Sequence, residues 1–164
     1  MMKFYNSEGT EIQIALNIRP HCKNFLQESA KYYEIVIFTA ATKEYAEAVV
    51  EVLDPEKKMI SAIISREKCF ETRNGFMIKD LRIFQDRSLK DVIMIDNLAH
   101  SFGLQIDNGI PIYSWNGDMR DQELKNLTDY VQAAAFVNDI RQFNRTNFRL
   151  DELVETSPNQ LDIY

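Results

Sequence analysis

The sequence has little of what marks a specialised architecture. It holds two cysteines, five glycines, four prolines and two histidines in 164 residues. Cys22 and Cys69 lie far apart and neither belongs to a Cys-x-x-Cys pair. That favours two reduced, partly buried thiols over a disulfide or a zinc site, and a reducing compartment, nuclear or cytoplasmic, over an oxidising one. His21 and His100 share no ligand spacing, so packing or surface exposure accounts for them better than a general base or metal role. No stretch reaches the roughly 18 consecutive apolar residues that a membrane helix needs, and the opening MMKFYNSEGT lacks the apolar centre of a signal peptide. A soluble protein without a membrane partner is expected. Positive charge is also short: 19 Lys and Arg against 25 Asp and Glu leave a net charge of −6. This argues against attraction to nucleic-acid phosphates.

What the chain does have is an ordinary globular composition, 45% hydrophobic, in a length that suits one domain. MMKFY and TEIQIALNI flank the polar cluster NSEG and read as a β-hairpin. A helix is expected over RPHCKNFLQESAKYY, with Pro20 near its start where a missing N–H does no harm. EIVIFTA is short and β-branched, the mark of a buried strand. TKEYAEAVVEVLDP returns to helical spacing, starts at Thr42 and stops at Pro55. AIIS is a further strand. Asn74-Gly75 between apolar stretches signals a tight hairpin whose second arm carries Lys79. DVIMIDN and IPIYSW are two more strands, and RDQELKNLTDYVQAAAFV is a helix with Leu124, Leu127, Tyr130 and Val131 on one side.

Strands alternating with helices predict an α/β fold with a mostly parallel sheet, and such folds bind ligands beyond the carboxyl ends of their strands. Thr39 ends one buried strand and Asp96-Asn97 ends another, so a hydroxyl, a carboxylate and an amide are expected on one rim. Each has a plainer reading. A Thr there caps a helix, Asp-Asn makes a turn, and a Lys on a hairpin is solvated. Trp115 is read as core rather than as groove lining.

The segments VIFTAATKEYA, NGFMIKDL, VIMIDNLAHSF, NGIPIYSW and IRQFNRTNFRLDEL occur in an order and spacing that resemble the small C-terminal-domain phosphatases. These are also called nuclear LIM interactor-interacting factor-like phosphatases and belong to the haloacid dehalogenase superfamily. The resemblance runs from about Ile14 to Leu153. It implies a Rossmann-like haloacid dehalogenase fold and Mg²⁺-dependent hydrolysis of phosphoserine or phosphothreonine in a protein segment, through a phosphoaspartate. It further implies that Asp96 is a metal carboxylate, that Asn97 orders the metal's surroundings, and that Thr39 and Lys79 hold the phosphoryl group, with Lys79 also countering the charge of the nucleophile. The mitochondrial translocase branch of the same fold shares YYEIVIF, but FTAATKEYA and IDN match the phosphatase branch better.

The family places its nucleophile and its acid/base in an Asp-x-Asp-x-Thr motif on a strand before the hairpin. No Asp-x-Asp occurs in these 164 residues. Residues 1–154 therefore read as a truncated phosphatase-like domain whose first central strand is missing, with a disordered tail at 155–164. Loss of the nucleophile costs on the order of a millionfold in turnover in a well-studied protease, so the chain as written is expected to be inactive, with Mg²⁺ held weakly or not at all. A non-catalytic, phosphoprotein-binding or scaffolding relative is the alternative. About ten backbone groups on the neighbouring strands would lose partners, at about 1–3 kcal/mol each if buried and unmet, and low autonomous stability follows.

Overall fold

The computed structural model describes residues 2–149, which gather into two compact units. In chain order the elements are β1 (Met2–Tyr5), β2 (Glu11–Ile14), α1 (Cys22–Ser29), β3 (Ile35–Phe38), α2 (Lys43–Leu53), β4 (Ile60–Ile64), β5 (Phe70–Glu71), β6 (Met77–Ile78), β7 (Met94–Asp96), β8 (Gly109–Pro111), α3 (Glu123–Ala134) and α4 (Ile140–Phe148). The first unit takes residues up to 68 together with 115–135, and the second takes 69–114 together with the residues from 136 onward. The tail expected to be disordered lies outside the described residues.

In the first unit, β1 and β2 form the expected antiparallel hairpin, with Met2 opposite Ile14. Its turn is held by Asn6, whose Oδ1 accepts from the N–H groups of Glu8 at 3.1 Å and Thr10 at 2.8 Å. This is the local bonding that makes Asn a turn residue. The hairpin packs on α2, where the Phe4 ring meets Tyr45 edge-on with centroids 5.9 Å apart. α2 starts at Thr42 as read from sequence, although the Thr42 side chain makes no capping bond, and it ends at Leu53, just before Asp54-Pro55. Asp54 is 2% exposed and accepts from the N–H groups of Lys58, Met59 and Ile60 at 2.8–3.0 Å, so one carboxylate organises the turn into β4. β3 and β4 pair in parallel. α1 packs against α3 and is tied to it where the Tyr33 hydroxyl donates to the Val131 carbonyl at 2.8 Å. The buried stripe of α3 runs through Thr128, Val131 and Ala134, with Leu124, Leu127 and Tyr130 half-buried at its margins.

In the second unit, β5 and β6 form the Asn74-Gly75 hairpin, and Gly75 takes φ 80°, the left-handed conformation such a turn requires. β7 and β8 pair in parallel, Met94 opposite Gly109 and Asp96 opposite Pro111. The strand expected over IPIYSW stops at Pro111. Between β7 and β8 the chain makes helical turns over Ala99–Asn108, kinked at Phe102 and Gln105. Phe102, Ile78 and Ile110 are fully buried and Leu81 nearly so; together they form the unit's core.

Among the described residues the strands thus form four two-stranded ribbons, two antiparallel and two parallel. Among the described residues β3 has β4 as its strand neighbour and β7 has β8.

Candidate functional site

In the second unit, Lys79 leaves β6 with its backbone N–H donating to the Ser101 carbonyl at 2.8 Å. That bond fixes where its side chain starts. The ammonium then donates to Oδ2 of Asp96, the last residue of β7. Both residues are 9% exposed, so the pair is nearly withdrawn from water. A buried charge persists when its partner and its remaining lone pairs are met. Asp96 satisfies this condition. Its Oδ1 accepts from the Leu98 N–H at 2.8 Å, and its backbone carbonyl accepts from the Ile112 N–H at 3.1 Å, which extends the β7–β8 ladder. Asn97 is exposed, and its amide nitrogen donates to the Ser114 hydroxyl at 3.0 Å.

The structure therefore brings Lys79 and Asp96 into direct contact, with Asn97 next to them in the chain. Thr39 belongs to the first unit. It follows β3 directly, is half-buried, and its N–H donates to the Ile64 carbonyl at 2.8 Å. Its hydroxyl oxygen accepts from the Ala41 N–H at 3.1 Å, a local turn bond rather than the helix cap of the plainer reading, since the position capping α2 is Thr42. Trp115 is half-buried and donates its indole N–H to the Asp118 carbonyl at 2.8 Å. His100 stacks at a tilt on Phe76, with centroids 4.6 Å apart.

Three supporting residues escape a reading by residue type. Ser101, Leu98 and Ser114 act through a carbonyl, an N–H and a hydroxyl that hold Lys79, Asp96 and Asn97 respectively. The Ser101 carbonyl, an acceptor, and the Leu98 N–H, a donor, are backbone groups and carry no side-chain signature. The only sequence signal was their position inside the quoted stretches VIMIDNLAHSF and NGIPIYSW.

Mg²⁺ takes hard oxygen ligands and keeps several waters, often with one or two carboxylates and a substrate phosphate. Here both oxygens of Asp96 already accept hydrogen bonds, one of them from an ammonium. The described residues also hold no group of three or more His, Cys, Asp or Glu able to bind a metal. Among the described residues, the groups present do not assemble a Mg²⁺ site.

Comparison with solved structures gives the class first. The chain is similar to the fission yeast RNA polymerase II CTD phosphatase Fcp1 bound to beryllium fluoride, with a TM-score of 0.56 at 16% identity over 98% of this chain and 57% of that one. That likeness shows the fold alone, an α/β fold shared with the Fcp1 structure. The family follows from sequence. The model of the NLI interacting factor-like phosphatases matches residues 2–141, and the chain belongs to that family. It is 38% identical over 151 residues to CTD small phosphatase-like protein 2 of Dictyostelium discoideum, covering 92% of this chain and 26% of that protein. It is 39% identical over 139 residues to CTD small phosphatase-like protein 3 of Caenorhabditis elegans, covering 84% and 48%. CTD nuclear envelope phosphatase 1B of Danio rerio is 33% identical over 142 residues, 87% of this chain and 57% of that protein. The chain thus spans from about a quarter to just over half the length of these relatives.

Proposed function

We propose that residues 1–164 form the phosphate-side part of a phosphoprotein phosphatase domain acting on phosphoserine or phosphothreonine segments, and that alone they bind such segments without turning them over. The observation that carries this reading is the buried Lys79–Asp96 pair, closed on its other side by the Leu98 N–H. A preorganised charge near the end of a strand, largely shielded from water, interacts with a phosphoryl group far more strongly than a solvated lysine does. In this reading Lys79 counters phosphate charge and Asp96 sets the position of its ammonium. Asn97, held by Ser114, orders the rim. No step is assigned to Mg²⁺, and its binding to the chain alone is weak.

The lack of turnover rests on the lack of any Asp-x-Asp among the 164 residues. A phosphoaspartate needs a carboxylate that is free to attack, whereas Asp96 is engaged on both oxygens. A second reading, a non-catalytic phosphoprotein-binding or scaffold relative, draws on the same observation. The chain acts in the nucleus or cytoplasm; a relative bears a nuclear-envelope name, and among the described residues no helix is long and apolar enough to cross a membrane.

One experiment separates the readings. A strand ending in Asp-x-Asp-x-Thr is fused before Met1, and hydrolysis of a chromogenic phosphate ester is assayed with Mg²⁺, beside phosphopeptide binding by the unfused chain. Turnover in the fusion, abolished by Asp96→Asn, supports the phosphatase reading. Full activity in the Asp96→Asn fusion removes Asp96 from the site. An inactive but folded fusion, with phosphopeptide binding intact, supports the scaffold reading.

A further inference from the structure

The Lys79–Asp96 couple is one side of a closed circuit within the second unit. Asp96 Oδ1 accepts from the Leu98 N–H at 2.8 Å, and the Leu98 carbonyl accepts from the Ser101 N–H at 2.9 Å. The Ser101 carbonyl then accepts from the Lys79 N–H at 2.8 Å, and the Lys79 ammonium returns to Asp96. The turns that follow β7 thus hold both members of the couple. Their grip extends past Lys79. Gln105, on the same turns, accepts at Oε1 from the Leu81 N–H at 2.9 Å and donates from Nε2 to Asp80 Oδ1 at 3.0 Å. One side chain therefore fastens the two residues that come directly after Lys79.

The chemistry of that grip is demanding. Leu81 is 2% exposed, and its N–H needs an acceptor. The Asp80 carboxyl lies below its ordinary value, chiefly because of the Arg82 guanidinium and also because of Gln105, so it is an anion that needs donors. A side-chain amide offers one donor and one acceptor, and these two partners fix which way it is turned. A carboxylate in its place would accept from Leu81 but repel Asp80, and a thioether would serve neither well. The helical turns of Ala99–Asn108 break at Gln105, where both bonds are made.

We propose that Gln105 is a positioning residue for the couple. By fastening Asp80 and Leu81 it fixes the backbone from which the Lys79 side chain starts, and with it the place of the ammonium beside Asp96. The further consequence rests on the phosphate-side reading above: an ammonium held at a set point meets a phosphoryl group without reorganising, and one set loose does not.

The test uses the full chain with its lysine side chains labelled with nitrogen-15, and a peptide of one phosphoserine flanked by alanines. The Lys79 ammonium is shielded, so its magnetic-resonance signal reports the couple with no ligand present. Gln105→Met keeps the bulk and loses the amide. At about pH 7.5, with carboxylates ionised, it should shift the Lys79 signal and weaken peptide binding about tenfold, the size of one lost hydrogen bond to a charged group. Gln105→Glu should do the same at that pH, because the introduced carboxylate faces Asp80. That neighbour raises the introduced group above its ordinary value of about 4.3, while Asp80 stays ionised. At about pH 5 the introduced carboxyl holds its proton, accepts from Leu81 and donates to Asp80. The signal should then approach that of the native chain at the same pH, and the binding deficit should close. Ile140→Val opens a small cavity under α4 in the same unit and should leave the Lys79 signal in place. An unmoved signal in Gln105→Met, a Gln105→Glu deficit that persists at about pH 5, or an equal shift in Ile140→Val would each overturn the proposal. Should Gln105→Met fail to fold, the pH response of Gln105→Glu decides. A native chain that binds no phosphoserine peptide overturns the phosphate-side reading instead, and the Lys79 signal alone then settles the role of Gln105.

Discussion

At the residue scale, the Lys79–Asp96 pair sets the largest expected effects. Removing one member of a buried pair strands the other, and Lys79→Met should cost about 3–5 kcal/mol in urea unfolding. Replacing both, as in Lys79→Met with Asp96→Leu, should cost clearly less than either single change, because no unpaired charge remains buried. Additive costs in that cycle would mean the two side chains do not depend on each other. Gly109 makes a different demand. A Cβ there would overlap the fully buried Phe102 ring, so Gly109→Ala should destabilise by about 1–3 kcal/mol, and Phe102→Leu in the same chain should recover part of it. Ser29 has the opposite sign. Its hydroxyl is buried with no hydrogen-bond partner among the described residues, so Ser29→Ala should leave the melting temperature unchanged or raise it. A clear drop would reveal a partner for that hydroxyl. The positions of Asp96 and Asn97 were legible in the sequence from a strand end and a family pattern together, that of Lys79 from the family pattern; their roles stand as proposed above. The direct contact of Lys79 with Asp96 was not, since 17 residues separate them and only the fold brings them together.

At the element scale, most strands and helices from β1 to α3 follow the hydrophobic periods of the sequence, β8, which ends at Pro111, being an exception, and α4 shows where that signal is thin. IRQFNRTNF has only three apolar residues, Ile140, Phe143 and Phe148, and its most buried position is Asn144, ahead of Ile140. Asn144 donates to the carbonyls of Asp107 at 2.9 Å and Gly109 at 3.3 Å, so α4 is seated by an amide rather than by a greasy stripe. A period-counting rule does not register that. The helix begins at Asp139, whose carboxylate accepts from the Arg141 N–H at 3.0 Å and pairs with the Arg141 guanidinium at 2.7 Å. The guanidinium first, and the N–H after it, lower the Asp139 carboxyl from 3.8 to about 2. A carboxylate lowered on folding adds stability that is complete above its unfolded value and is lost as pH falls through the folded one. The stability difference between the native chain and Asp139→Asn should therefore hold above about pH 4 and shrink toward zero between about pH 4 and 2. A difference that stays constant over that window would remove the carboxylate from the cap. Asp54 shifts the same way because three N–H groups, that of Ile60 foremost, favour its charged form.

At the scale of the whole molecule, the feature that matters most is that strands gather in pairs. An α/β class was readable from alternating patterns, but how strands group depends on which neighbours are present to complete a ladder, and no local pattern encodes that. Total stability in proteins of this size is only about 5–15 kcal/mol, and ribbons open along one edge secure little of it. The isolated chain should unfold over a broad range of urea, with probes in the two units giving different midpoints. A single sharp transition shared by both probes would contradict this.

Ionic strength sorts the charges of this chain by depth. Dissolved ions screen solvent-facing charges over about 8 Å at physiological strength but reach withdrawn ones poorly. Pairs such as Lys3–Glu11 and Arg120–Asp118 stand in water, whereas Lys79–Asp96 does not. Raising sodium chloride should therefore erode the outer pairs and relieve the mutual repulsion of a chain carrying −6, while the couple at the end of β7 keeps its hold.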